Sequence, residues 1–275
     1  MNNTIGLSFP NYAPSDPAAY SGQFIPEQPA GNIASRIVSK VARSMMQPTE
    51  QTQMTVELGA VRTIQVIAVV SNAIDNYANS TIQVYCHDAD GFITYTSDEI
   101  NLDLPYGDYS AAEYNWARVP AYRYHAIVVL PTPMESSRVT IKMRGGISQG
   151  ALDVGRIFLG PLWTPTINAA YGLQDYVLDP STSSRAESGS LWPVDRIRIR
   201  GVKFALSNLT KAEGDFIHDF ILNSGVSQEV VYIPNTDDRA LIIRYGFLGK
   251  LQELSPLDYP AYRLRSSSFK IQAVV

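Results

Sequence analysis

Cysteine is nearly absent from this 275-residue sequence, in which Cys86 stands alone. A single thiol excludes a disulfide within the chain and any cysteine-rich zinc cluster. A fold without disulfides does not depend on oxidising conditions, so we expect synthesis in a cytoplasm.

An excess of charge of one sign is also missing. Charged residues make up 17% of the sequence and the net charge is −4, which gives no general attraction to nucleic acid or to an anionic membrane. The densest apolar run, 64–70, is interrupted by Gln65 and is far shorter than the roughly 20 residues of a membrane-spanning helix. The first residues lack the basic and apolar regions of a secretory signal peptide. We predict no nucleic-acid partner and no membrane insertion.

Motifs of catalytic sites are scarce. The sequence has no glycine-rich phosphate loop, no His-Glu-x-x-His motif, and no acid pair whose spacing alone would flank a glycosidic bond. Residues 146–150, Gly-Ile-Ser-Gln-Gly, match the nucleophile elbow of α/β-hydrolases, but a strand is predicted after them and no strand–helix alternation surrounds them. We interpret this segment as a glycine-rich turn. His125 and Asp153 have no reason to converge on it.

Metal ligands do not cluster either. Residues 88–91, Asp-Ala-Asp-Gly, and Glu99 follow part of the calcium-loop pattern, but Phe92 replaces an oxygen ligand and Ile93 replaces the required glycine. A hairpin turn is the better interpretation. His125 and His218 are isolated from other ligand residues, and the side chain of His87 leaves the opposite face of a strand from that of Cys86. We predict no catalytic residue, no cofactor and no metal, and hence no enzyme.

The fold class predicted from patterning is mainly β, in two domains. Alternating apolar residues, as in 82–86, indicate strands with one buried face, and Asp90-Gly91 predicts a type I′ hairpin. The predicted organisation is an extended arm and short helix in 1–49, an antiparallel β-sandwich in 50–165, a linker loop in 166–195, and a β domain with one helix in 196–275. The short helix is placed at 35–46, where apolar residues share one helical face.

The C-terminal part combines strands with one well-marked helix. Thr210 and Glu213 have the spacing of a capping box, and Gly225 supplies the C-terminal stop. This order predicts an antiparallel sheet with a helix laid on it. The strands are predicted at Arg196–Leu206, Glu229–Ile233, Ala240–Phe247 and Phe269–Val274.

Arg196, Arg198 and Arg200 alternate with isoleucines, so a strand would place them on one face. Their mutual repulsion requires water or a partner. One interpretation is a solvated sheet face, and the other is an interface between subunits, where they meet carboxylates.

Two segments carry resemblances to known families. Residues 55–59, Thr-Val-Glu-Leu-Gly, and the strand 61–70 resemble the opening of discoidin-like, galactose-binding sandwiches. Residues 155–161, with Trp163 and Pro165, resemble the last strand of such domains in tailed-bacteriophage proteins. The C-terminal order of elements, with 245–247 and 268–271, is similar to the tube-like module of phage tail-tube and distal tail proteins, although the usual distal tail protein has that module first.

These resemblances imply a virion structural protein of a bacteriophage tail tip or baseplate. Its copies would form a homo-oligomeric ring, a hexamer or a trimer, that joins the tail tube to the hub or fibres after assembly in the host cytoplasm. Unpaired strand edges supply the means, because ring closure removes them.

Two rival functions follow from the same resemblance. Galactose-binding-like sandwiches often bind glycans through loop aromatics, which makes Trp116 and Tyr106 candidate contacts for a carbohydrate or receptor on a host surface. A polysaccharide-degrading enzyme is the other rival.

Overall fold

The computed structural model describes residues 4–45, 51–71, 80–102, 124–144, 151–169, 172–185, 190–254, 256–261 and 264–274. Of these residues, 55% lie in strands and 13% in helices, and the registers are antiparallel. The predicted mainly β, antiparallel fold class is confirmed. The strands are β1 Gly6–Ser8, β2 Tyr20–Gly22, β3 Ala42–Arg43, β4 Thr52–Ser71, β5 Thr81–His87, β6 Ile93–Thr96, β7 Ile100–Asn101, β8 Tyr124–Arg144, β9 Asp153–Gly160, β10 Leu162–Trp163, β11 Gln174–Leu178, β12 Thr182–Arg185, β13 Leu191–Val194, β14 Ile199–Leu209, β15 Glu229–Ile233, β16 Phe247–Leu251, β17 Leu257–Ala261 and β18 Leu264–Ala273. The α-helices are α1 Lys211–Ser224 and α2 Arg239–Tyr245.

The chain divides into two compact units. Of the described residues, the first unit contains 4–102, 124–164 and 230–248, and the second contains 165–229 and 249–274. Residues 230–248 therefore group with the first unit, whereas the sequence predicts 196–275 as one domain. The physical reason is strand pairing, since β15 pairs with β1 near the N-terminus.

The main sheet of the first unit has the order β3-β9-β4-β8-β5-β6, with β2 beside β4 and β7 beside β5. Its long central strands, β4 and β8, change character along their length. In 66–71 every residue of β4 is buried, so both faces of the sheet are covered there. In 52–58 buried and more exposed residues alternate, which leaves one face open.

The N-terminal segment is part of the first unit and contributes to its core. Tyr20 and Phe24 are buried in its core, as an arm lying along its own domain requires. The predicted helix at 35–46 is wrong, because residues 35–45 form turns and β3 instead. β3 pairs with β9, and this tertiary pairing outweighs a periodicity that fits a helix.

The turn between β5 and β6 confirms the hairpin but not its type. Gly91 has a φ of 86° and is the only residue of this turn with positive φ, whereas a type I′ turn needs two. Asp88 closes the turn, because its Oδ1 accepts the backbone N–H groups of Asp90 (3.0 Å) and Phe92 (2.8 Å).

In the second unit, β11, β14 and β18 follow one another in the sheet and α1 packs on it. The rings of Phe204 and Phe269 stack at 5.4 Å, and Phe220 of α1 lies 6.3 Å from Phe269. The predicted capping box is confirmed, with reciprocal hydrogen bonds between Thr210 and Glu213.

The strand predicted at Ala240–Phe247 is wrong, because α2 occupies most of it. Asp238 caps this helix by accepting the backbone N–H of Leu241 at 3.2 Å. The apolar run Leu241-Ile242-Ile243 is compatible with a strand and with a buried helical turn. The cap at Asp238 favours the helix.

Candidate functional site

The predicted glycan contacts Trp116 and Tyr106, and the elbow-like segment 146–150, lie outside the described residues. Among the residues that the structure describes, no three His, Cys, Asp or Glu side chains are grouped to hold a metal ion. Within those same residues, no helix is both long and apolar enough to cross a bilayer.

The three candidate arginines do not share a strand face, contrary to the prediction. β14 begins at Ile199, so Arg200 lies on it, while Arg196 and Arg198 precede it in irregular backbone. Arg198 Nε donates to Asp179 Oδ2 at 3.2 Å. An intrachain carboxylate thus holds one of them, and their role at a subunit interface stays a prediction.

The carboxylate of Asp179 is held by several hydrogen bonds. Hydrogen bonds from Ser181, followed by the Arg198 guanidinium, lower the pKa of Asp179 to about 2. Ser181 Oγ in turn accepts the backbone N–H of Arg196 at 2.9 Å. These contacts join the segment between β11 and β12 to the segment between β13 and β14.

The predicted linker loop contains strands, namely β11 at the edge of the large sheet and the separate two-stranded sheet of β12 and β13. We define the ribbon as the described residues of 174–199. β11 pairs with β14 as far as Leu178 opposite Ile199, and β12 pairs with β13. Ser and Thr dominate β12, which gives it the composition of a loop although it pairs as a strand.

The ribbon exposes large apolar side chains on both faces. Val177 is 66% exposed, Leu191 62%, Trp192 64% and Val194 50%. Side chains alternate between faces along a strand, so Trp192 and Val194 point one way and Leu191 points the other. β12 and β13 form a sheet of only two strands, and such a sheet buries neither face by itself. Apolar side chains gathered on such a surface mark a contact site.

The root of the ribbon is anchored on the sheet. The ring of Tyr176 lies against Gly201, its register partner, so closely that a Cβ at position 201 would overlap it. Burial, and secondarily Glu253, raise the pKa of Tyr176. Within the described chain β11 has β14 as its one strand partner, so its other edge is open to a further strand.

A second surface lies on the first unit, and we call it the open face. It comprises the outward side chains of three adjacent strands, β4, β8 and β5. Register fixes them in three rows: Glu57–Arg138–His87, Thr55–Thr140–Tyr85 and Gln53–Lys142–Gln83. The inward neighbours in these strands, such as Val56, Val139 and Cys86, are fully buried.

Hydrogen bonds connect much of the open face. Lys142 Nζ donates to Tyr85 Oη at 3.3 Å and lies 4.7 Å from the ring centroid. Tyr85 Oη donates to Gln83 Oε1 at 2.7 Å. At the other end, Arg138 Nε contacts Glu57 Oε1 at 2.5 Å. These contacts link neighbouring side chains across the three strands.

The remaining candidate groups have structural contacts. Cys86 is buried, and burial raises the pKa of its thiol to about 11, against a smaller opposite effect of Ser136. The buried ring of His125 accepts the backbone N–H of Leu248 on Nδ1 at 2.9 Å. Glu99, part of the calcium-like pattern, accepts a hydrogen bond from Thr81 at 2.6 Å.

Sequence reasoning missed both surfaces. The composition predicts a loop where the ribbon lies, although the apolar residues Leu191, Trp192 and Val194 directly after the serine-rich stretch 181–190 were a usable signal. The open face depends on register between strands that are distant in sequence, and no local pattern records it.

No protein family and no curated protein sequence matches the chain. Solved structures with partial likeness include a mutant of the lectin binding domain of Lectinolysin complexed with Lewis b (10% identity, 55% of this chain, 96% of that chain, TM-score 0.39). Others are a fucose binding module of Streptococcus pneumoniae (6%, 56%, 98%, TM-score 0.36) and a chitosan-binding module of a chitosanase/glucanase from Paenibacillus sp. IK-5 (10%, 55%, 98%, TM-score 0.39). Likeness at this level assigns neither a family nor a ligand to this chain.

Proposed function

We propose that this chain is a non-catalytic assembly protein whose copies join through the ribbon into a closed ring. The ring would belong to a bacteriophage tail tip or baseplate and connect the tail tube to the hub or fibres. The observation that carries the proposal is the group of apolar side chains exposed on both faces of the ribbon, with Trp192 64% and Leu191 62% exposed.

The energetic argument starts from the isolated chain. A ribbon covered on neither face leaves its apolar side chains in water, and burying one such side chain is worth about 1.5–3 kcal/mol before the costs of association. Several of them on one element favour a partner surface. The open edge of β11 offers main-chain hydrogen bonds to the same partner.

The ring follows from symmetry. A ribbon that packs on a different surface of the next copy makes a head-to-tail contact, and such contacts close into a ring when the rotation permits it. The resemblance of the C-terminal elements to the tube-like module of tail proteins supports this arrangement and a location in the virion. The helix-backed antiparallel sheet of the second unit is compatible with it.

The test compares two leucines of similar exposure. Leu191 lies on the ribbon and Leu222 lies on α1, where it is 69% exposed. We expect the purified chain to form a concentration-dependent oligomer by light scattering, with rings visible by electron microscopy. Leu191→Ser should weaken the oligomer and Leu222→Ser should not. A monomer at every concentration, or equal effects of the two substitutions, would contradict the proposal.

Carbohydrate recognition by the first unit is the second candidate function. The open face favours it, because hydroxyl, amide and charged side chains surround Tyr85 there, and such groups fix sugar hydroxyls. Saturable binding on a glycan array would support it. Loss of that binding in Trp116→Ala or Tyr106→Ala would assign the contact to those two residues instead.

A further inference from the structure

We infer that the open face binds a carbohydrate chain bearing a carboxylate, with the acid group at Lys142. This inference rests on the second candidate function and names its site and ligand class. It is independent of the ribbon.

The outward residues of β8 form a column of cations. Arg138, Lys142 and Arg144 alternate with buried residues on this strand, so they share one face with Thr140 between them. At about 3.4 Å per residue the column is roughly 20 Å long. An extended oligosaccharide can lie along a surface of this length.

The charges along the column are unevenly balanced. Glu57 pairs with Arg138 at one end. At the other end Glu99 accepts a hydrogen bond from Thr81, the register partner of Arg144, but among the described residues Arg144 has no carboxylate at ion-pair distance and its Nε has no hydrogen-bond partner. Lys142, in the middle, contacts the uncharged Tyr85, and within the described part of the chain no carboxylate reaches ion-pair distance of it. A carboxylate of a ligand can therefore pair with Lys142 without displacing a carboxylate of the protein.

Groups suited to sugar hydroxyls flank this cation. Gln53 and Thr55 lie on β4, and Gln83 and Tyr85 lie on β5. Tyr85 Oη accepts from Lys142 and donates to Gln83, which fixes the direction of both hydrogen bonds. A surface held in this way loses little side-chain freedom on binding.

Nucleic acid, the other extended anion, fits this face less well. Sequence-tolerant binding of single strands uses a series of aromatic rings and an excess of positive charge. The rows that define the open face contain one phenol ring, that of Tyr85, and the smaller imidazole of His87, and the chain carries a net charge of −4.

The experiment titrates the full-length chain with tetragalacturonate in a calorimeter. The methyl ester of the same tetrasaccharide lacks the charges and serves as the ligand control, and a single-stranded DNA oligonucleotide is the third probe. We expect binding of the acid form, weakened about tenfold by Lys142→Gln and by high salt. Lys203→Gln, an exposed lysine of β14, is the matched control and should have no effect.

Each other outcome overturns the inference in a recognisable way. If the methyl ester binds equally well and Lys142→Gln changes nothing, carbohydrate recognition stands but the acid site is wrong. If neither saccharide binds and the glycan array is also blank, the second candidate function fails with it. Preferential binding of the DNA would reassign the column to nucleic acid. Thermal unfolding of each variant checks that the fold is retained.

Discussion

The substitution Trp192→Ser separates folding from assembly more sharply than any other change on the ribbon. The side chain is 64% exposed in the isolated chain, and its register partner is Ser184. Removing it takes little packing away from the monomer. We expect the free energy of unfolding of the monomer to change by no more than about 0.5 kcal/mol.

The effect on assembly should be much larger. Complete burial of the exposed indole area, about 150 Å², corresponds to an upper limit of about 4 kcal/mol. Truncating an aromatic anchor at the centre of an interface costs about 2–4 kcal/mol in practice. The dissociation constant of the oligomer should therefore rise about 30- to 1,000-fold.

Sedimentation velocity across a wide concentration range measures this shift, and urea denaturation below the association range measures the monomer. An unchanged association curve would remove Trp192 from the interface. A loss of monomer stability well above 1 kcal/mol would mean that the indole packs within its own chain. Either result would refute the argument from the exposed ribbon.

Three further predictions test the fold. Cys86 should resist thiol reagents at pH 8 until the protein is denatured, because burial raises its pKa to about 11; a colorimetric thiol assay with and without urea measures this. Gly155→Ala should lower the free energy of unfolding by about 1–3 kcal/mol, because a Cβ at this position would overlap the backbone oxygen of Val38. An unchanged free energy of unfolding in urea denaturation would contradict the packing of the segment around Val38 on β9. Partial burial alone would raise the pKa of Glu213, but hydrogen bonds from Thr166 and Thr210 lower it. Its contribution to stability is therefore present above the unfolded-state pKa and lost as the pH falls through the lower folded-state value, so Glu213→Gln should flatten the fall in stability between about pH 6 and pH 3.

Local sequence patterns predicted those elements whose structure depends mainly on interactions within the element itself. The capping box at Thr210 and Glu213 satisfies backbone groups within a single turn, and α1 begins there. Alternation in 82–86 likewise matches β5, whose even-numbered residues are buried. In both cases the sequence pattern and the tertiary environment require the same structure.

The wrong predictions concern segments whose structure depends on partners that are distant in sequence. Residues 35–45 have apolar spacing that fits a helix, but pairing of β3 with β9 is available only after the chain has folded. In β12 the side chains carry no apolar pattern, and its strand structure depends on β13 across the turn. The alignment of Tyr85 with Thr140 on the open face likewise depends on the register of β5 and β8, which lie far apart in sequence.

The two candidate surfaces differ in what they require of a partner. On the open face, Lys142, Tyr85 and Gln83 already contact one another, so the face is stable in water and any ligand must compete with these contacts and with solvent. On the ribbon, Trp192 and Leu191 have no covering element within the described chain and gain free energy only when something buries them. A physical need for a partner therefore exists at the ribbon, whereas the open face has only the capacity for one. Assembly follows from the first condition, and ligand binding at the second surface depends on finding a molecule whose charge and hydroxyl groups match it.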